Sequence, residues 1–135
     1  MKVLALDTTT RVGSVALIDD ERILDERDGD GARTHAQRLP QELLAVAKDN
    51  GVALSEIDLF AVASGPGSFT GMRIGIATIQ GLALVAGRRA VAVSALDALA
   101  HMASRELAVG AIIAVWTDAY RRDVFASLYR VAEAP

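Results

Sequence analysis

Apolar and polar positions fall into blocks that mark the elements one after another. Lys2-Val3-Leu4-Ala5-Leu6-Asp7 is short and almost wholly apolar, which predicts a central strand buried on both faces. Thr8-Thr9-Thr10-Arg11 makes a turn. Val12 to Ile18 reads as a second strand, with Val15 and Leu17 alternating against Ser14 and Ala16. Asp19-Asp20-Glu21 leads into a third, Arg22 to Asp28, charged enough to lie at an edge. Leu39, Leu43, Val46 and Ala47 recur at helical spacing, and Asn50-Gly51 is a C-terminal stop. Inside that helix the Pro40 ring collides with the preceding turn. Either the helix begins near Leu39, or Thr34 caps an earlier start and Pro40 kinks it. Asp58 to Ser64 is the next strand, Arg73 to Ala86 a helix, and Arg89 to Val93 a fifth strand. Ser94 and Asp97 form a capping pair for a helix through Leu107, with Leu96, Leu99, Ala100, Ala103 and Leu107 as its inward stripe.

Three strands, helix, strand, helix, strand, helix predicts an α/β lobe over residues 1–108. It is a mixed five-stranded sheet flanked by helices, the ribonuclease H-like plan. Ala111 to Thr117 and Asp123 to Val131 read as a hairpin within 109–135 that restarts the pattern of residues 2–18. Two such units side by side make the two-lobed, actin-like architecture, so the hairpin reads as the truncated start of a second lobe.

Composition narrows the classes. A chain of 135 residues with 52% hydrophobic residues can bury a real core. Its net charge of −3 gives no global attraction to nucleic acid or anionic membrane. There are no cysteines, which excludes disulfides and thiolate metal sites and fits a reducing cytoplasm. Asp7 interrupts the first apolar run, against a signal peptide. No apolar stretch is expected to reach the roughly 18 residues needed to span a membrane.

The segment Gly65-Pro66-Gly67-Ser68-Phe69-Thr70-Gly71 predicts a tight loop at the C-terminal end of a strand, opening a helix. In α/β proteins such loops face the ligand edge of the sheet. It lacks the Gly-Lys-Ser/Thr ending of a P-loop and the spacing of a dinucleotide fingerprint. What remains is a helix N-terminus with free amides for an anion or a carbonyl. The helix that follows is apolar all round, through Ile74, Ile76, Ile79, Leu82, Leu84 and Val85. It must be covered on both sides, either by other elements of the domain or by a second chain. The positions assigned to such an interface are Met72, Arg73, Ile76, Ile79, Gln80, Ala83 and Val85.

The segments LALDTTT, GSVALIDD, THAQRLPQELL, GPGSFTGMRIGIATIQGLA and VAVSALDALA, in this order, resemble the bacterial TsaB family, also called YeaZ, from Met1 to about residue 131. One turn departs from it, with Asp118-Ala119-Tyr120 where Asp-Ala-Arg is expected. The resemblance implies an actin-like ATPase fold and a part in forming threonylcarbamoyladenosine on tRNA. It implies a non-catalytic scaffold that dimerises, pairs with the catalytic paralogue TsaD, and shares a complex with the ATPase TsaE. No cofactor follows from it, and contact with tRNA would be indirect.

The resemblance also assigns residues. Asp7, Thr8, Thr9 and Thr10 stand where actin-like ATPases hold metal and nucleotide phosphates, and would be a relic phosphate loop; the plainer reading is a polar turn. TsaD carries a His-x-x-x-His metal pair where this chain has Ala95 and Leu99, neither able to bind metal. His35 and His101 are the only histidines and too few for a zinc site. An exposed Asp97–His101 helix pair is expected; His35, near Arg33 and Arg38, either touches a ligand or marks a solvated helix start, and the solvated start is the favoured reading. Older usage calls the group glycoprotease-like, but Ser14, Ser64 and Ser68 lie outside any Gly-x-Ser-x-Gly elbow. A peptidase or an ATPase is the alternative class. Arg88-Arg89 and Arg121-Arg122 read as solvated loop charges.

Overall fold

The computed structural model describes residues 1–120 and 122–133. Its elements are β1 (Lys2–Asp7), β2 (Ser14–Asp19), β3 (Arg22–Asp28), α1 (His35–Asp49), a 3-10 turn (Leu54–Glu56), β4 (Leu59–Ala63), α2 (Phe69–Ala86), β5 (Arg89–Val93), α3 (Ala95–Ser104), β6 (Ile112–Tyr120) and β7 (Asp123–Arg130). The first five strands make one mixed sheet in the order β3-β2-β1-β4-β5. Pairs β1–β2 and β2–β3 are antiparallel, whereas β1–β4 and β4–β5 are parallel. This is the mixed sheet that the element order predicts.

The two faces of that sheet differ because the side-chain period is two. Register aligns Leu17, Leu4 and Phe60 in one row and Val15, Leu6 and Val62 in the next. All six are buried, and α1 and α2 close over them with Leu39, Leu43, Val46 and Ile79. Each such side chain contributes roughly 1.5–3 kcal/mol on burial. The opposite face carries the row Ala16, Ala5, Ala61 and Val91 and is only half covered. The expectation that β1 is sealed on both faces therefore holds for one face.

The helices begin where caps allow. Thr34 starts α1, and its N–H donates to Gln37 Oε1 at 3.1 Å, so the earlier start is the correct one and Pro40 lies inside the helix with its ring outward. Ser68 caps α2 by accepting the Gly71 N–H at 3.2 Å, which starts that helix at Phe69 rather than Arg73. Gly87 ends it in the left-handed conformation. By length and composition α2 could cross a membrane, contrary to the expectation from the sequence; its Gly71, Gly75, Ile79 and Ala83 stripe is instead buried in the fold.

The third helix departs further. Ser94 Oγ accepts the Asp97 N–H, as the capping pair predicts, but the helix stops at Ser104. Only Leu96 and Ala100 are buried; Leu99, Ala103 and Leu107 are exposed. The reason is its partner. It packs on the hairpin, where Leu96 and Ala100 meet Ile113 and Val115, and not flat on the five-stranded sheet. Tyr129 Oη donates to Asp97 Oδ1 at 2.6 Å, so Asp97 ties α3 to β7 instead of pairing with His101. That bond holds the Tyr129 hydroxyl above its ordinary pKa. On the far side of the hairpin Ile112, Trp116, Val124 and Leu128 are exposed.

Candidate functional site

The turn after β1 and the glycine-rich loop form one unit. Asp7 Oδ1 accepts the Thr9 N–H at 2.7 Å, Thr10 Oγ1 accepts the Gly13 N–H at 3.0 Å, and the Ser68 N–H donates to Thr9 O at 2.7 Å. Thr8 is fully buried, and its Oγ1 has no partner. Of the four residues assigned to a relic phosphate loop, Asp7 and Thr10 use their side chains within the turn, and Thr9 joins the turn to the start of α2 through its backbone carbonyl. Glycines serve the same contact. A Cβ at Gly71 would lie 2.2 Å from Thr8 O, and one at Gly75 would lie 2.2 Å from Thr8 Oγ1. Gly67 sits against Thr9, Gly65 adopts a positive φ of 105°, and Thr70 is exposed at the first turn of α2.

A cleft of about 350 Å³ opens between the half-covered sheet face and α3. Ala5, Ala16 and Ala61 floor it, Ala95, Leu99 and Met102 wall it, and Asp7, Thr9, Thr10 and Thr117 line it as well. The small side chains of the sheet make the space. Ala95 and Leu99, the positions that the resemblance matches to a metal pair, both face this cleft with groups that ligate nothing.

The outer surface of α2 is the second feature. Ile79 is fully buried and Ala83 nearly so, both within the chain's own core, which removes them from the set assigned to an interface. Met72 and Ile76 are half-buried, while Arg73, Gln80 and Val85 point outward. The outward stripe also includes Phe69, Ala77, Gly81 and Leu84, which the sequence reading leaves out. Leu84 and Val85 are 82% and 81% exposed. The Arg73 guanidinium lies 5.5 Å from the Phe69 ring centroid, a cation–π contact. A helix apolar all round thus resolves into an inward stripe of Gly71, Gly75, Ile79 and Ala83 and an outward face that carries Phe69, Leu84 and Val85.

The burial of Arg38 is what sequence reasoning missed. Arg38 is 1% exposed; its guanidinium donates to Glu42, to Val12 O and to His35 Nδ1. Gly29 makes the room, since a Cβ there would lie 1.8 Å from Arg38 Nη1. The Arg38–Glu42 spacing of four was the available signal. Because arginine only donates, His35 Nδ1 must accept, so Nε2 carries the proton and donates to Thr10 O at 3.0 Å. His35 is half-buried and positioned by this network, not simply solvated. Among the described residues no serine hydroxyl hydrogen-bonds a histidine ring: Ser64 Oγ donates to Val93 O, Ser68 Oγ caps α2, and Ser104 Oγ donates to the backbone carbonyl of His101. Arg88 donates to Ser55 O, and Arg121 lies outside the described residues.

Residues 29–134 match the family model for TsaD, tRNA N6-adenosine threonylcarbamoyltransferase. The tRNA threonylcarbamoyladenosine biosynthesis protein TsaB of Escherichia coli is 36% identical over 130 residues, which cover 96% of this chain and 55% of that protein. YeaZ from Pseudomonas aeruginosa superposes with a TM-score of 0.83 at 40% identity, over 98% of this chain and 61% of that one. A second structure, described as similar to the peptidase YeaZ from Pseudomonas aeruginosa, gives 0.85, also at 40% identity, over 98% of this chain and 60% of that one. The chain spans little more than half the length of these relatives. The matched model, the run of identity from end to end and the shared sheet agree: the chain belongs to the TsaB (YeaZ) family of the actin-like ATPase-type superfamily.

Proposed function

We propose that this chain is a non-catalytic scaffolding and activating subunit for threonylcarbamoyladenosine modification of tRNA. It works by pairing with a TsaD-like catalytic subunit, and with a second copy of itself when alone. A TsaE-like ATPase joins through that complex, and tRNA is met only indirectly. Such a role belongs to the cytoplasm.

The observation that carries the reading is the outward stripe of α2, where Phe69, Leu84 and Val85 are left open on a helix whose inner face is already full. Exposed large apolar groups grouped on one helix face mark an association surface. The cleft supports a non-catalytic role, because its walls at Ala95 and Leu99 offer apolar groups where catalysis would need ligands. The likeness to a peptidase belongs to the description of one structural relative; among the described residues no serine hydroxyl meets a histidine ring to favour the same reading.

Analytical ultracentrifugation of the chain alone and with a TsaD-like subunit tests the proposal. Self-association that gives way to a mixed complex is the expected result. A chain that stays monomeric and does not sediment with the catalytic subunit refutes it.

A further inference from the structure

We propose that the cleft between the first turns of α1 and α2 binds an oxyanion of the phosphate class. This cleft has a volume of about 270 Å³ and lies apart from the alanine-floored one. Two guanidinium groups, Arg11 and Arg33, line it, together with the side chains of Thr34, Ser68 and Thr70, and its lining holds no carboxylate. Arg11 uses only Nε, which donates to Gly31 O at 3.1 Å, and its two terminal nitrogens have no partner among the described residues. Arg33 is bound through Nε to Asp30 at 3.0 Å, which leaves its terminal nitrogens for a second acceptor. On an acidic chain, this concentration of unspent donors is a local exception.

The backbone adds to the same field. Both α1 and α2 open into the cleft, and neither carries an acidic residue in its first turn. Their first amides and dipole ends are therefore not offset by a carboxylate of their own, as first turns commonly are. His35 contributes no donor, because both ring nitrogens are spent on Arg38 and Thr10. The geometry is two planar forks plus hydroxyls around a small volume, which suits a tetrahedral, multiply charged oxyanion better than a planar carboxylate of a bulky ligand.

Titration calorimetry at low ionic strength, with inorganic phosphate, pyrophosphate and adenosine monophosphate as probes, tests this on the whole chain. One saturable site per chain is expected. Equal affinity for phosphate and the monophosphate ester identifies the free ion as ligand; tighter ester binding identifies a phosphorylated small molecule. Arg11→Gln should weaken binding about tenfold or more, as for loss of one charge-assisted contact. Thr70→Asp places a carboxylate in the first turn of α2, where it favours the helix, so it should abolish binding without lowering the thermal midpoint. Arg105→Gln, at the C-terminal cap of α3, should change nothing. No saturable binding of any probe, or affinity unaltered by both Arg11→Gln and Thr70→Asp, overturns the proposal.

Discussion

Gly75→Ala tests whether the glycine-rich segment is shaped by contacts within the chain. The new methyl would stand 2.2 Å from Thr8 Oγ1 and 3.2 Å from Thr8 Cβ and Cγ2. Thr8 is fully buried, so its side chain has nowhere to swing. Overpacking of this kind costs roughly 1–3 kcal/mol, and an overlap this deep belongs in the upper part of that range. Alanine's better helix propensity offsets up to about 1 kcal/mol. The net loss should be about 1–2 kcal/mol. Thr8→Ala alone should cost about 1 kcal/mol or less, since the cavity it opens is small and the hydroxyl it removes has no partner. In the double variant the methyl at 75 enters the space left by Thr8. Its stability should return close to wild type, a coupling of about 2 kcal/mol. Urea unfolding followed by far-ultraviolet circular dichroism on all four proteins measures this. A Gly75→Ala protein as stable as wild type, or costs that simply add, refutes the reasoning.

Two other perturbations follow from the network around α1. Arg38→Met should lose about 2–4 kcal/mol in the same assay, a little below a fully buried broken pair, because Glu42 is 23% exposed and water can reach it. Asp25 accepts from Arg27 and from Asn50 Nδ2 at 2.8 Å, and these hold its carboxyl below the ordinary carboxylate pKa. A lowered folded value means that its stabilisation is present at neutral pH and is lost as pH falls below about 4. Asp25→Asn should therefore lower the thermal midpoint at pH 7, by a margin that shrinks as pH falls below about 4.

Sequence pattern reached the five-stranded sheet because each strand is a short apolar run between polar turns, and Lys2–Asp7, Arg22–Asp28 and Arg89–Val93 were delimited to the residue. It failed where a partner element decides the outcome. The stripe of α3 was read as if the helix lay on the sheet, but the hairpin takes Leu96 and Ala100 and leaves Leu99 open. On α2, residue type alone could not tell that glycines 71 and 75 face inward toward Thr8, which turns Ile79 and Ala83 in and Leu84 out. The burial of Arg38 is not legible for a related reason: a charged residue at a helix start reads as solvated until a glycine such as Gly29 is seen to make room for it.

Reconstituted tRNA modification tests the central claim most directly. A TsaD-like catalytic subunit and its other components are supplied with wild-type chain or with Leu84→Glu/Val85→Glu. Both positions are more than four-fifths exposed, so circular dichroism should show the fold of the variant unchanged. Burial of such a pair is worth roughly 1.5–3 kcal/mol per residue, and its loss should weaken pairing by at least about two orders of magnitude. The account predicts that wild-type chain stimulates threonylcarbamoyladenosine formation and that the variant, at equal concentration, does not. Equal stimulation by the two proteins, or none by wild type, would contradict it.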